Sequence, residues 1–191
     1  MKNLYNIAGC NGAGKTTASY TILPEILNCD EFVNADEIAR GLSPFKPEKT
    51  DIQAGRLMLE RIKYLIKKDQ NFAFETTLST KSYKNLVIEA QNKGYAVMLI
   101  FFYLKSEDLA VKRVETRVKE GGHDIAVKVI RRRYENGLKN FFNIFKDLVN
   151  EWMFIENSGE PYTLIAQKSQ GQEKIYNKGM WNRLKQKYYE K

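Results

Sequence analysis

The sequence predicts an α/β fold in which a mostly parallel β-sheet carries helices on both faces. Short apolar runs suited to buried strands alternate with longer amphipathic runs suited to helices. The run AVMLIFFYL at residues 96–104 is apolar throughout, which is typical of a strand covered on both faces. With 191 residues, 43% of them hydrophobic, the chain is long enough to bury one continuous core.

The individual elements follow from the same patterns. We predict strands at residues 4–8, 32–35, 72–74, 96–104, 153–155 and 162–166, the last two joined by a turn. We predict helices at residues 15–22, 37–40, 47–68, 79–92, 106–118 and 124–150. The first helix ends near Pro24, Ser106 caps the fifth, and Gly121 and Gly122 break the chain before the sixth. Ligands of such a sheet bind at the carboxyl ends of its strands, so polar residues directly after each strand are the candidates for function.

Directly after the first predicted strand, residues 9–16 read GCNGAGKT. This is an unbroken G-x-x-x-x-G-K-T motif between a strand and a helix, the position of a phosphate-binding loop. The glycines let backbone N–H groups turn toward a phosphate, and Lys15 reaches the β- and γ-phosphate oxygens. The Thr16 hydroxyl is the predicted Mg²⁺ ligand. The sequence therefore predicts a P-loop NTPase, a three-layer sandwich.

Asp36 follows the second predicted strand. From that position its carboxylate would face the transferred phosphate, where it accepts a proton from a substrate hydroxyl, holds Mg²⁺, or does both. The alternative is that Asp36 caps the short helix at residues 37–40, and the two roles are compatible.

Glu75 follows the third predicted strand and is itself followed by Thr76 and Thr77. An ionisable side chain at the end of a buried strand is costly unless it binds something. We therefore expect Glu75 to hydrogen-bond the hydroxyls or an amide of a neutral polar substrate, with Thr77 assisting. The alternative is an ordinary acidic residue near a helix N-terminus at Ser79.

Several nucleotide-binding classes are disfavoured by what the sequence lacks. The fourth predicted strand ends without an Asp, so a strict Walker B carboxylate, as in motor ATPases, is missing there. The GTPase patterns D-x-x-G and N-K-x-D and the transporter pattern L-S-G-G-Q are absent as well. Among the nucleotide-binding classes, the small-molecule kinases are the one that the sequence still favours.

Phosphoryl transfer needs cations on the transferring oxygens, and small kinases carry them on a mobile lid. Arg113 and Arg117 stand four apart on a predicted helix, so we expect them to grip one phosphate chain, with a solvated helix face as the alternative. Of the run at residues 131–133 we expect at most one arginine to reach the nucleotide. His123 is predicted to be a structural cap rather than a base.

The net charge of +8 is concentrated at the C-terminus, where residues 177–191 contribute +4. We predict a kinase domain at residues 1–176, followed by a basic helix or tail at residues 177–191. Such a basic face is most often solvated, so nucleic acid is not the expected partner. No export signal or membrane-length apolar run is evident, and we expect a cytoplasmic protein with no membrane association, in which Cys10 and Cys29 are reduced and structural.

Taken together, the G-x-x-x-x-G-K-T motif and the candidate site residues resemble those of the zeta toxin family, kinases that phosphorylate UDP-N-acetylglucosamine. The matching segments are residues 9–17, 32–36, 74–77, 112–115, 117 and 123–128. The resemblance implies that Lys15 and Thr16 bind ATP and Mg²⁺ and that Asp36 is the catalytic base. It also implies that Glu75 and Thr77 hold the sugar nucleotide, that Arg113 and Arg117 stabilise the transferring phosphate, and that an antitoxin protein is a candidate partner.

The sequence also departs from the plasmid-borne members of this family. The stretch between Arg113 and Arg117 is shorter, Gly121 and Gly122 replace a loop, and the whole chain is smaller. The acceptor is therefore expected to be a sugar nucleotide or another small metabolite, and toxicity does not follow from the resemblance.

We interpret the sequence as an ATP- and Mg²⁺-dependent kinase with an arginine lid, acting on a hydroxyl of a small polar acceptor such as UDP-N-acetylglucosamine. The residues predicted to bind ATP are Gly9, Asn11, Gly12, Ala13, Gly14, Lys15, Thr16 and Thr17. Two alternatives stay open at this point. One is a polynucleotide or nucleoside kinase that uses the basic tail, and the other is a non-enzymatic, nucleotide-responsive partner protein in which Asp36 is dispensable.

Overall fold

A computed structural model describes residues 2–122 and 124–190, so the predicted cap His123 lies outside the described residues. These residues form one seven-stranded sheet in the order β2-β3-β1-β4-β5-β6-β7. The strands are β1 Lys2–Gly9, β2 Phe32–Val33, β3 Phe72–Thr76, β4 Tyr95–Tyr103, β5 Glu151–Glu156, β6 Thr163–Ser169 and β7 Gln172–Ile175. The first five pair in parallel, whereas β6 and β7 pair antiparallel. The predicted α/β fold is confirmed.

Helices fill the connections between the strands. They are α1 Lys15–Thr21, α2 Ala35–Leu42, α3 Asp51–Lys67, α4 Tyr83–Asn92, α5 Glu107–Lys119, α6 Val127–Asn140, α7 Lys146–Leu148 and α8 Lys178–Tyr188. A 3₁₀ turn at Pro47–Thr50 precedes α3, and π-helical turns follow α1 at Ile22–Ile26 and α6 at Phe141–Phe145. Within the described chain, none of these helices is long and apolar enough to cross a lipid bilayer.

Besides shifts of a few residues at the element ends, three features differ from the sequence prediction. Helix α1 ends at Thr21, one residue before its predicted end, but a π-helical turn that contains Pro24 continues from it, and in this turn Leu27 N donates to Ile22 O at 3.0 Å. The predicted helix at residues 124–150 is divided by the second π-helical turn. Strand β7 was missed because three of its four residues, QEKI, are polar and exposed, which leaves no apolar alternation to detect.

The register of the central strands positions the functional loops. Strand β1 lies between β3 and β4, and Ile7 is the partner of both Glu75 and Ile100. Because the pairing is parallel, the carboxyl ends of β1 and β3 lie side by side at one edge of the sheet. The loop after Gly9 and the loop after Glu75 are therefore neighbours.

The C-terminal helix α8 packs against the same core as the rest of the chain. Trp181 is buried and stacks on Trp152 of β5 with 5.3 Å between the ring centroids. Leu184 and Tyr188 are buried on the same face, while the basic side chains of α8 are exposed. The predicted boundary between residues 1–176 and 177–191 stays a prediction.

Candidate active site

The loop at residues 9–16, here called the phosphate loop, is packed against the ends of two strands. Gly9 has φ +141°, and a Cβ there would collide with the carbonyl oxygen of Phe102 in β4. Gly14 has φ +81°, and a Cβ there would lie 2.6 Å from Asn157 Nδ2, which donates to Ala13 O at 2.9 Å. Only glycine satisfies both the backbone angle and the close approach at these two positions. The contacts with Phe102 and Asn157 thus fix one side of the loop. Its other side is open at the carboxyl ends of the strands.

Glu75 contacts the two side chains of the phosphate loop that are predicted to bind ATP and Mg²⁺. Lys15 is 5% exposed, and its Nζ donates to Cys10 O at 3.0 Å and lies 3.3 Å from Glu75 Oε1. The hydroxyl of Thr16 donates to Glu75 Oε2 at 2.7 Å. Asn34, at the end of β2, donates to the same oxygen at 3.0 Å. A carboxylate that is 11% exposed is stabilised here by one cation and two neutral donors.

These contacts fit a Mg²⁺ ion bound together with nucleotide phosphates. Mg²⁺ prefers oxygen ligands, and in phosphoryl-transfer sites it takes one or two from the protein and the rest from phosphates and water. The Thr16 hydroxyl and the Glu75 carboxylate are such a pair. Across the described residues, no three His, Cys, Asp or Glu side chains gather into a metal cluster. Glu75 therefore has a second candidate role at the metal, beside its predicted acceptor role, which stays a prediction.

Asp36 does not cap α2, so the alternative reading of this residue is wrong. The cap is Asn34, whose Oδ1 accepts from Asp36 N at 2.8 Å and Glu37 N at 3.4 Å. The sequence reading placed the helix start two residues late, and the cap therefore moved to Asn34. Because Asn34 caps the helix, the exposed carboxylate of Asp36 is free of that role and can contact a ligand.

Asp36 lines two adjoining cavities in front of the phosphate loop. The larger, about 630 Å³, also contains Thr16, Thr17 and Arg117 in its wall. The smaller, about 220 Å³, is shared by Asp36 with Lys15, Glu75 and Thr77. The predicted base, acceptor residues and phosphate loop thus meet at one cleft.

Arg113 and Arg117 lie in different surroundings although both belong to α5. Arg113 donates to Gly12 O at 3.4 Å and Ser158 O at 3.1 Å, so it braces the outer side of the phosphate loop. Arg117 lines the cavity of about 630 Å³ beside Gly121 and Gly122. That the two grip one phosphate stays a prediction.

The glycine pair after α5 forms an ordered helix end. Gly121 has φ +87°, and its N–H donates to Val118 O at 3.0 Å. Gly122 N donates to Arg117 O at 2.8 Å. Two such bonds around a left-handed residue make a Schellman motif. This motif fixes the backbone that carries Arg117.

Three consecutive arginines of α6 have different contacts. Arg131 pairs with Glu107 and Asp108 of α5 at 2.6 Å each. Arg133 donates to Asn11 Oδ1 at 3.2 Å. Arg132 is exposed in a cavity of about 440 Å³ that Asp36 also lines. Successive helix residues are about 100° apart, so sequence alone could not select Arg133 as the one that contacts the phosphate loop.

Residues 76–79, here called the acceptor loop, are held by α6. Leu78 is buried at φ +56°, and its N–H donates to Thr76 Oγ1 at 3.0 Å. Asn140 donates to Leu78 O at 2.8 Å. A Cβ on Gly137 would lie 2.7 Å from Thr77 O. One face of α6 therefore contacts the acceptor loop through Gly137 and Asn140 and the phosphate loop through Arg133. Sequence reasoning missed Gly137 and Asn140, and it named Arg133 only as one member of the run at residues 131–133.

The two cysteines do not have the surroundings of a reactive thiol. Cys10 and Cys29 are both free and buried. Burial raises the pKa of the Cys10 thiol to about 11, against the opposing effect of Lys15. At neutral pH the thiol is protonated and is a poor nucleophile.

Comparisons with known proteins relate the chain to kinase-like and toxin-like proteins. An uncharacterized protein of Haemophilus influenzae is 32% identical over 129 residues, which cover 66% of this chain and 88% of that protein. Among solved structures, the AvrRxo1-ORF1:-ORF2 complex with ATP matches with a TM-score of 0.75 and 16% identity, covering 96% of this chain and 63% of that one. This chain is therefore less than two thirds the length of that relative.

Two further structures show the same fold at low identity. The PezAT chromosomal toxin-antitoxin system of Streptococcus pneumoniae matches with a TM-score of 0.71 and 16% identity, covering 100% of this chain and 80% of that one. A gluconokinase from Sinorhizobium meliloti has a TM-score of 0.53 and 14% identity, with 83% of both chains covered. The family model for zeta toxin matches residues 2–179. That match spans nearly the whole chain, and the protein belongs to the zeta toxin family.

Proposed function

We propose that this protein is an ATP- and Mg²⁺-dependent kinase that phosphorylates a hydroxyl of a small polar acceptor, a sugar nucleotide such as UDP-N-acetylglucosamine. The observation that carries the proposal is the cleft at which Asp36 meets the phosphate loop. Phosphoryl transfer requires groups that bind the nucleotide phosphates on one side of the reacting atoms and a general base on the other side. Membership of the zeta toxin family and the kinase fold support the same reaction class.

When bound, ATP with Mg²⁺ supplies the phosphoryl group and neutralises the charge on its oxygens. Lys15 and the backbone N–H groups of the phosphate loop bind the phosphates, while Thr16 and Glu75 are the candidate metal ligands. Asp36 accepts the proton of the acceptor hydroxyl. Arg117 and Arg133, which line the two cavities, add positive charge near the transferring phosphate.

An antitoxin protein is the proposed macromolecular partner. The PezAT structure represents a toxin-antitoxin system, and this likeness motivates the proposal. Phe45 and Tyr20 line the cavity of about 630 Å³ and are 95% and 63% exposed, so a protein seated at its mouth would bury two aromatic rings. Stable copurification with a protein encoded beside this one would support it, and an unchanged Phe45 exposure to solvent in that complex would contradict it.

The kinase proposal is tested by following labelled phosphate from ATP into UDP-N-acetylglucosamine and into a bacterial metabolite extract. We expect a labelled small molecule, and we expect Asp36→Asn to lower turnover by roughly 10²- to 10⁴-fold, the usual contribution of a general base. ATP affinity should be unchanged, because the base acts on the acceptor. Label on an oligonucleotide instead of a metabolite would favour the polynucleotide kinase alternative.

Glu37→Gln is the matched control for Asp36→Asn. Glu37 lines the same cavity, but its carboxylate pairs with Arg40 at 3.3 Å. An exposed pair of this kind contributes little to stability, so the control variant should keep its turnover. Wild-type turnover in Asp36→Asn would contradict the base assignment and favour the non-enzymatic alternative.

A further inference from the structure

A further cavity lies on the other side of the acceptor loop. It measures about 440 Å³, within the range of small-molecule sites, and its wall includes Ser79, Lys81, Asn136, Lys139, Asn140 and Glu190. Ser79 also lines the cavity of about 220 Å³ that contains Asp36 and Glu75. The two cavities thus share a wall residue at the acceptor loop.

Positive charge predominates in the wall of this cavity. Lys81 is exposed and makes no ion pair with any residue of the described chain. Lys139 lies 3.9 Å from Glu190, whose side chain is 76% exposed and therefore easily displaced. Two lysines face one carboxylate here.

Carboxylates outnumber cations in one of the cavities that Asp36 lines, whereas the cavity of about 220 Å³ contains two of each, Asp36 and Glu75 against Lys15 and Arg133. The cavity that Arg132 and Arg133 line also contains the four carboxylates Asp36, Glu48, Asp51 and Asp124. An anionic group placed there would meet like charge, which costs binding energy. A ligand with one neutral, hydroxylated end and one anionic end would therefore bind with its anionic end at Lys81 and Lys139.

The cavity is built on rigid supports. Asn140 is 7% exposed and is anchored to the acceptor loop through Leu78 O. Asn143 donates to Tyr188 O at 2.7 Å and accepts from Glu190 N at 2.8 Å, which ties residues 188–190 to the π-helical turn that follows α6. At about 1.5 Å per residue, Lys139 stands roughly 9 Å along α6 from Arg133. An extended acceptor reaches across that distance.

We propose that this cavity, through Lys81 and Lys139, binds the anionic part of the acceptor, a phosphate or diphosphate group, while the reacting hydroxyl lies at Asp36. The identification of the ligand as the acceptor rests on the proposed kinase function. The anion site itself is testable by binding alone.

The test is calorimetric titration of UDP into the full chain saturated with a non-hydrolysable ATP analogue, so that the phosphate loop is occupied. We expect Lys81→Ala and Lys139→Ala each to weaken UDP binding by roughly tenfold, as for the loss of one charged contact. Glu190→Gln should tighten it by removing the competing carboxylate. Lys84→Ala, an exposed lysine outside this cavity, is the matched control and should bind as the wild type.

Two outcomes would overturn the proposal. One is UDP binding that is absent in the wild type or equal in all variants. The other is UDP binding that depends on the lysines but does not compete with the acceptor during turnover, because the anion site would then be separate from the acceptor. Lysine-dependent UDP binding in a protein that transfers no phosphate would instead count against the kinase proposal and leave the anion site standing.

Discussion

The phosphate loop and the acceptor loop are neighbours at the same edge of the sheet, yet their shapes have different origins. The phosphate loop contains the glycines that its own backbone angles require. The acceptor loop holds Leu78, a non-glycine residue, at φ +56°, and its carbonyl is fixed by Asn140, 62 positions away in the chain. A residue other than glycine in this left-handed region of φ costs free energy, which the surrounding contacts must offset. One loop is encoded locally, and the other depends on the tertiary structure.

Among the variants that compare the two loops, Lys15→Ala in the phosphate loop is expected to have the largest effect. Lys15 supplies the buried charge of the loop, and removing such a preorganised group costs roughly 10²- to 10³-fold in turnover. Steady-state kinetics with ATP would measure it. A thermal melt is the control, because Glu75 loses its cation in this variant. Wild-type turnover in a folded variant would contradict the assignment of the phosphate loop.

Glu75→Gln tests the residue at which the two regions meet. If Glu75 serves the metal, the Mg²⁺ concentration for half-maximal activity should rise roughly 10- to 100-fold, as for other supporting metal contacts. Turnover measured over a matrix of Mg²⁺ and acceptor concentrations separates the two candidate roles. Thr77→Val is the comparison variant, since it alters the acceptor loop without touching Thr16. A raised acceptor KM at unchanged Mg²⁺ dependence would support the acceptor role instead.

The smallest effect is expected from Gly137→Ala, which acts on the acceptor loop from outside. The new methyl group would lie 2.7 Å from the backbone oxygen Thr77 O, closer than a Cβ can approach, so the acceptor loop or α6 must shift. We expect a severalfold rise in the acceptor KM with ATP affinity unchanged, because the phosphate loop is not displaced.

Gly55→Ala is the matched control for Gly137→Ala. Gly55 lies in α3, and a Cβ there meets no atom within 4 Å. Alanine at a helical glycine without contacts stabilises the fold by about 0.5–1 kcal/mol. The control should therefore raise the melting temperature and leave both KM values unchanged. Identical kinetics for the two variants would show that α6 does not position the acceptor loop.

Much of the site was visible in the sequence because strand ends are easy to find. The apolar runs located β1, β2 and β3, and Asp36 and Glu75 are among the polar residues near the carboxyl ends of β2 and β3. The identity of the α2 cap was misjudged, because Asn34 and Asp36 are both favoured N-caps and only the backbone shows where the helix begins. Strand β7 escaped because it is a polar edge strand without a buried face.

By itself, the sequence determined the fold class and the phosphate loop, since both rest on local signals of periodicity, glycine spacing and a charged residue at the start of a helix. Only the tertiary structure decided that Glu75 meets Lys15 and Thr16, about 60 positions away, and that Arg133 reaches Asn11. Contacts of this kind depend on strand order and on the rotation of a helix about its axis. Neither is encoded within a single segment, because each results from packing several segments into one core.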